Sequence, residues 1–360
     1  MQHRLVLKAE LVGLQALTCW LQKFDMDGEV LQPALSAAYI ASKSQSVKIH
    51  ESGIEKLSDD MLKSFTSDKL EIPTTGANIV YLSKEDVRAV DWIFVADALN
   101  FCFWSYSDTD KYTVERHSGY YALEAALSRA LKEGHDITNP EYYSKITKEQ
   151  LATIVRGDND IAIPLFEERL SVLHEVGKIL LDKYNGSFKT CLKEADKSAL
   201  KLLRIIVESF PCFRDEAVYK GKPVSFYKRA QILVADIWNF YGGKDWGEFH
   251  DIDGITMFAD YRVPQVLLYF GALSYDNNLM EQLKNDVLLP SGSEEEVEIR
   301  GCSIHCVELL KKKIKERIEN RPNLEVPNSS LIDYYLWCYR RKYADEMEKV
   351  PFHKTLGIFY

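Results

Sequence analysis

The fold class is decided by the stretch HSGYYALEAALSRALKEG, residues 117–134. Ser118 precedes an apolar period of helical spacing, Ala and Leu dominate the middle of the stretch, and Gly134 ends it. A helix start signal, high helix propensity and a helix stop signal therefore agree within one segment. We predict an α-helix over His117–Glu133.

The same helical periodicity continues on both sides of this segment. Further helices are predicted over Asp91–Trp104, Thr147–Arg156, Leu165–Tyr184, Ser198–Phe210, Val224–Tyr241, Val263–Leu273, Cys302–Ile318 and Ser329–Tyr343. Thr147 and Gln150 have the spacing of a capping box. Strand patterns are sparse, and the candidates are Val297–Ile299 and Lys48–His50. We therefore predict an all-α fold, a single compact domain of roughly ten to fourteen helices.

The composition is that of an acidic globular protein. The 360 residues include 45 Lys and Arg against 54 Asp and Glu, which gives a net charge of −9, and 46% of the residues are hydrophobic. An acidic chain is a poor match for a nucleic-acid backbone, which requires a basic face. No apolar run reaches the ~18 residues of a membrane-spanning helix. Seven scattered cysteines favour reduced thiols, and hence a cytoplasmic protein.

Residues 1–30 contain a weak apolar stretch that resembles a targeting segment. Glu10 lies within this region, and no small-residue cleavage signature follows it. We expect a helical N-terminal extension there rather than a secretory signal.

Motifs for common cofactors and metals are absent from the sequence. It contains no GxxxxGK[ST], no GxGxxG and no HExxH pattern. Cys302, His305 and Cys306 fall within one helical turn, but no second Cys or His pair lies at a zinc-finger spacing. Buried structural cysteines are the simpler interpretation. We expect no metal and no cofactor.

Two isolated acids stand out from the ordinary core pattern. Asp260 lies in ITMFADYRVPQ, residues 255–265, and Asp333 lies in LIDYYLWCY, residues 331–339. A buried carboxylate costs several kcal/mol unless it is paired. Each acid could instead cap a helix or make a structural hydrogen bond. Two acids among aromatic rings would suit a flat heterocycle rich in N–H donors.

A third candidate segment is SFYKR, residues 225–229, which opens a predicted helix with two cations. A helix N-terminus offers N–H groups and a positive dipole to an anion. Lys228, with Arg229 or Tyr227, could therefore bind a phosphate. The alternative is a solvated charge at the start of a surface helix.

Several blocks of the chain resemble the queuosine salvage protein family, the queuosine 5'-phosphate N-glycosylase/hydrolases. These blocks are DWIFVADALNFCFW, SGYYALEAALSRALKEG, VSFYKRAQILVADIW, ITMFADYRVPQVL, VEIRGCSIHCVELL and LIDYYLWCY. The resemblance covers residues 31–360 and leaves residues 1–30 outside. It implies one all-α domain, similar to the helical DNA glycosylases, that hydrolyses queuosine 5'-monophosphate without a metal and releases queuine for salvage into tRNA. The implied partner is this small molecule, with no direct nucleic acid and no membrane.

The resemblance also implies roles for individual residues. Asp260 is the catalytic acid of the family's F-A-D motif, and Phe258 contacts the base. Asp333 and Tyr334 correspond to a second base-contacting motif. That motif ends here in Cys338, where some relatives carry Asp, so one polar contact to the base differs. Family substrates carry the phosphate that Lys228 could bind.

Two other functional classes remain open at the level of sequence. A catalytically silent helical module would bind a nucleobase or a protein partner without turnover. A nucleic-acid glycosylase would require a basic face. The sequence also leaves open whether Asp260 acts electrostatically or by covalent attack.

Overall fold

Helices form most of the structure, a computed structural model that describes residues 30–66, 69–72, 82–105, 111–321 and 323–360. The helices in the first half are α1 (Pro33–Lys43), α2 (Glu51–Lys63), α3 (Ala89–Ala98), α4 (Tyr120–Lys132), α5 (Pro140–Tyr143), α6 (Lys148–Ile154), α7 (Phe166–Lys183), α8 (Lys189–Ala195) and α9 (Ala199–Ser209). Those in the second half are α10 (Lys228–Tyr241), α11 (Val263–Tyr269), α12 (Asn277–Lys284), α13 (Glu294–Ile318), α14 (Ser329–Lys342) and α15 (Ala344–Met347). The extension predicted over residues 1–30 lies, except for residue 30, outside the described ranges.

Within those ranges the chain is mostly helical rather than purely α, because eight short strands form four antiparallel pairs. The pairs are β1 (Val47–Ile49) with β8 (Leu273–Tyr275), β2 (Phe65–Thr66) with β3 (Lys69–Leu70), β4 (Thr113–Val114) with β5 (His117–Ser118), and β6 (Glu216–Tyr219) with β7 (Lys222–Ser225). In the first pair Val47 lies opposite Tyr275. The strand candidate at 48–50 is thus confirmed, shifted by one residue.

Several predictions of local structure are wrong. Helix α3 ends at Ala98 rather than Trp104, helix α11 ends at Tyr269 and leaves Leu273 to strand β8, and helix α13 begins at Glu294 rather than Cys302. His117 and Ser118 form strand β5 ahead of helix α4. Val297–Ile299 lies inside helix α13, where Val297 and Ile299 are both fully buried. A helix that is buried on more than one side loses the 3.6-residue pattern and can imitate a strand. The helix predicted from Val224 begins only at Lys228, because the preceding residues pair as strand β7.

Helix starts follow the local sequence closely. Thr147 accepts a hydrogen bond from the N–H of Gln150, whose side chain bonds back to Thr147, so the predicted capping box is confirmed. Ser293 caps α13 by accepting from the N–H of Glu296. These side chains satisfy N–H groups that have no partner within their own helix.

The described residues bury two hydrophobic clusters, and an extended segment runs between them. The first cluster is formed mostly by residues 82–261, and the second by residues 37–61 and 257–347. Side chains of an extended chain point alternately to opposite sides. Phe258 accordingly packs in the first cluster, and its neighbours Met257 and Ala259 pack in the second. This alternation brings Asp260 to the boundary between the clusters.

Candidate active site

A cavity of about 690 Å³ opens beside this segment. Its size is typical of a site for a small molecule. Five of the six predicted site residues line it: Phe258, Asp260, Asp333, Tyr334 and Lys228. Residues from distant parts of the sequence therefore meet at one cavity.

Asp260 is held by one of its two carboxylate oxygens. Oδ1 accepts hydrogen bonds from the backbone N–H groups of Arg262 at 2.8 Å and Val263 at 2.9 Å. Asp260 thus supports the start of helix α11, as the helix-cap interpretation predicts. No residue of the described structure donates a hydrogen bond to Oδ2. The carboxylate is fixed in place while one oxygen can meet a ligand in the cavity.

Opposing effects act on the pKa of Asp260. Burial raises the pKa, and this effect is the largest. The nearby ammonium of Lys228 lowers it, as do the two backbone N–H groups and the guanidinium of Arg262. The pKa remains above its usual value, so Lys228 matters for keeping the carboxylate ionised.

Asp333 fixes the extended segment to helix α14. Its Oδ1 accepts a hydrogen bond at 3.0 Å from the N–H of Phe258. Asp333 therefore makes a structural hydrogen bond, but to the backbone of Phe258 rather than to a neighbouring tyrosine. Burial and the neighbouring carboxylate of Asp260 raise the pKa of Asp333 well above its usual value. A ligand that donates N–H bonds to this carboxylate would favour its ionised form.

Aromatic rings form part of the cavity wall. Phe258 is almost completely buried, whereas Tyr334 is 43% exposed. The Tyr334 ring stacks on Trp337 with centroids 6.3 Å apart, and Trp337 meets the ring of Tyr121 edge-on at 5.5 Å. Such a wall suits the flat faces of a heterocyclic base.

Cys338 is the predicted site residue that does not line the cavity. It is buried one helical turn after Tyr334 in helix α14. Burial raises the pKa of the Cys338 thiol to about 11. The thiol is therefore neutral.

The surroundings of Lys228 differ from the predicted anion site. Its backbone N–H donates to Oδ2 of Asp215 at 3.0 Å, so the start of helix α10 is already capped. Its ammonium is buried and contacts the carbonyl of Asn100 at 3.4 Å. The N–H group of Lys228 is therefore occupied by a side chain more than ten residues upstream. That Lys228 binds a phosphate stays a prediction.

The two residues expected to assist Lys228 point elsewhere. Arg229 donates to the carbonyls of Ala98 and Cys212 within the core. The Tyr227 hydroxyl donates to Glu216 at 2.7 Å. Neither residue lines the cavity.

Three further acids near Lys228 were not singled out from the sequence. Asp236, which lines the cavity, has its pKa raised by burial to about 7. Burial raises the pKa of Asp97 well above its usual value and that of Glu124 to about 8. For two of these acids the sequence does contain a recognisable pattern. The segments VADA and VADI place Asp97 and Asp236 alone in apolar surroundings, as FAD places Asp260.

The described residues contain no group of three or more His, Cys, Asp or Glu side chains arranged to hold a metal ion. In the same residues, every helix is too short or too polar to cross a membrane.

Comparison with known proteins places this site in a family. The family model described as queuosine salvage protein matches residues 80–360. A Bos taurus protein named queuosine 5'-phosphate N-glycosylase/hydrolase is 48% identical over 343 residues, which cover 93% of this chain and all of the relative. Proteins of the same name from Mus musculus and Sphaerobacter thermophilus are 43% and 35% identical, each over 92% of this chain and at least 99% of the relative. The chain belongs to the queuosine salvage protein family.

Proposed function

We propose that this protein hydrolyses the N-glycosidic bond of queuosine 5'-monophosphate, releasing queuine for salvage and ribose 5-phosphate. The observation that carries the proposal is the Asp260 carboxylate, anchored through Oδ1 and facing a cavity of nucleotide size. The names of the relatives supply the substrate.

Asp260 would act on the sugar. Breaking the bond between the anomeric carbon and the base nitrogen builds positive charge on that carbon, and an ionised carboxylate stabilises it. Water supplies the oxygen that replaces the base, and its proton is taken up by the departing nitrogen. Both an electrostatic role and a covalent ribosyl intermediate fit this position. Lys228 favours the ionised form of Asp260.

The remaining predicted residues would hold the base. Queuine is a 7-deazaguanine, so protonation at position 7, which helps ordinary purines to leave, is unavailable. Rigid binding must then lower more of the barrier. Phe258 and Tyr334 offer stacking surfaces, and Asp333 offers a carboxylate to the N–H edge. Cys338 lies one helical turn after Tyr334.

The proposal extends to the setting of the reaction. A domain over residues 31–360, similar to the helical DNA glycosylases, would act on the free nucleotide in the cytoplasm rather than on tRNA. The net charge of −9 supports a small free substrate, because the chain lacks the excess of cations that a nucleic-acid backbone attracts.

The test is to incubate the purified protein with queuosine 5'-monophosphate and to measure free queuine. Asp260→Asn removes the charge and keeps the shape, so we expect a rate at least about 10²-fold lower. Asp276→Asn is a matched control, because Asp276 also accepts a backbone N–H at a helix start but does not line the cavity. A silent binding module would bind queuine without turnover in every variant. A normal rate for Asp260→Asn would contradict the catalytic assignment.

A further inference from the structure

Two arginines of the cavity wall converge on a single neutral oxygen. Nη1 of Arg262 lies 3.0 Å from Oε1 of Gln265, and Nε of Arg340 lies 3.3 Å from the same atom. All three residues line the cavity. The two guanidinium groups are therefore held within a few ångströms of each other.

Packing fixes this pair before any ligand binds. Gln265 is buried, and its Nε2 donates to the carbonyl of Val350 at 2.6 Å, which turns Oε1 toward the arginines. The Arg262 guanidinium packs over the ring of Phe352 at 4.1 Å and near that of Tyr261 at 5.2 Å. A preorganised pair loses little conformational entropy when it binds a ligand.

The arginine pair adjoins the catalytic carboxylate. Arg262 follows Asp260 by two residues, its backbone N–H donates to Asp260, and its guanidinium lowers the pKa of that carboxyl. The charges that act on Asp333 instead include the carboxylates of Asp260 and Asp236. Asp260 thus has two cationic neighbours, Arg262 and Lys228, of which Lys228 also acts on Asp333.

This distribution of charge disfavours Lys228 as the phosphate ligand. Lys228 lies in the field of three carboxylates, from Asp260, Asp97 and Asp333. A phosphate dianion at Lys228 would compete with the Asp260 carboxylate for the same ammonium. Asp345 and Glu348 also line the cavity, but their carboxylates are exposed. Solvent therefore weakens the repulsion between these carboxylates and a bound phosphate.

We propose that Arg262 and Arg340 bind the 5'-phosphate of the substrate, an inference that rests on the proposed function. Two guanidinium groups that meet at one oxygen place positive charge and N–H donors side by side on the cavity wall, where one phosphate dianion could contact both. The planar N–H fork of arginine also matches the geometry of phosphate oxygens. The pair thereby sets the preference for the nucleotide over the nucleoside.

The experiment compares kcat/KM for queuosine 5'-monophosphate and for queuosine. Arg340→Gln and Arg262→Gln should each lower the preference for the monophosphate by about 10- to 150-fold, as expected for a lost charge-assisted contact. In Arg340→Gln the kcat/KM for queuosine should change only a few-fold. In Arg262→Gln the kcat/KM should also fall for queuosine, because the Arg262 guanidinium lowers the pKa of Asp260, so the preference for the monophosphate is the quantity to compare. Arg341→Gln is the matched control, because Arg341 lines the same cavity but packs over Tyr121 and Trp337. It should leave the preference intact.

Binding of ribose 5-phosphate provides an independent readout. Stabilisation of the wild-type protein by ribose 5-phosphate, but not by ribose, should disappear in Arg340→Gln and in Arg262→Gln. Folded variants that retain both this binding and the substrate preference would overturn the phosphate site, as would loss of preference in Arg341→Gln alone. A wild type that hydrolyses neither substrate would instead contradict the proposed function. If one variant fails to fold, the other decides.

Discussion

Lys228→Met should change the pH dependence of the enzyme rather than its affinity for phosphate. Lys228 is only 6% exposed, and its ammonium lowers the pKa values of Asp260, Asp333 and Asp236. Methionine keeps most of the volume of the lysine side chain but removes its charge. The pKa of Asp260 should therefore rise.

The direction in which the pH profile shifts follows from the protonation state in which Asp260 acts. Asp260 is active when ionised, so kcat/KM falls as the pH drops through its pKa. Without Lys228 this acid limb moves to higher pH, and activity should return at alkaline pH. A neighbouring opposite charge is generally worth about 1–3 pKa units for a carboxyl. At a pH below the acid limbs of both the wild type and Lys228→Met, kcat/KM of the variant should therefore be roughly 10- to 1,000-fold lower than that of the wild type.

The assay is a pH profile of kcat/KM for queuosine 5'-monophosphate, with thermal melting as a check of folding. Lys354→Met is a matched control, since Lys354 is another buried lysine of the cavity wall, bonded to Asp286 at 2.6 Å. It should leave the acid limb in place. A folded Lys228→Met protein with the wild-type acid limb would refute this reasoning.

The remaining predictions concern stability and base binding. Asp236 has a folded-state pKa raised from 3.8 to about 7, so its contribution to stability is present below about pH 4 and is lost as the pH rises through 7. Between pH 5 and 8 the free energy of unfolding, measured in urea, should decrease less in Asp236→Asn than in the wild type, by on the order of 2–4 kcal/mol. An equal decrease in both proteins would contradict the raised pKa. Phe258→Ala should weaken queuine binding by about 1–3 kcal/mol in calorimetry, as for one lost stacking contact, and unchanged affinity would exclude that role. Asp333→Asn should bind queuine more weakly while its melting temperature stays near that of the wild type. A large drop in melting temperature would instead indicate that Asp333 serves only to hold Phe258 through their hydrogen bond.

The sequence predicts much of this site because an acid in apolar surroundings is a rare pattern. Asp260 and Asp333 were identified in that way, and both line the cavity. Asp97 and Asp236 have the same pattern but lie in helices α3 and α10, where periodicity alone indicates an ordinary core face. Periodicity shows which face of a helix is buried. It does not show whether that face meets a cavity.

The surroundings of Lys228 could not be predicted from the local sequence. Local sequence correctly predicts a helix near Lys228, but its N–H partner, Asp215, precedes an entire strand pair. The same is true of the arginine pair, because Arg262 and Arg340 belong to helices that meet only in the fold. Long-range partners of charged groups decide their roles, and a single sequence does not contain that information.

One buried arginine links the two charged groups on which the proposed reaction depends. Arg300 donates to both carboxylate oxygens of Asp215, the residue that caps the helix beginning at Lys228. Its Nε also donates at 3.0 Å to the carbonyl of Ala259, the residue before Asp260. Burying such an ion pair generally adds little stability, because desolvation offsets the attraction. Its position instead fixes the backbone at both Lys228 and Asp260, so the distance between carboxylate and ammonium is set by the core rather than by solvent-exposed side chains.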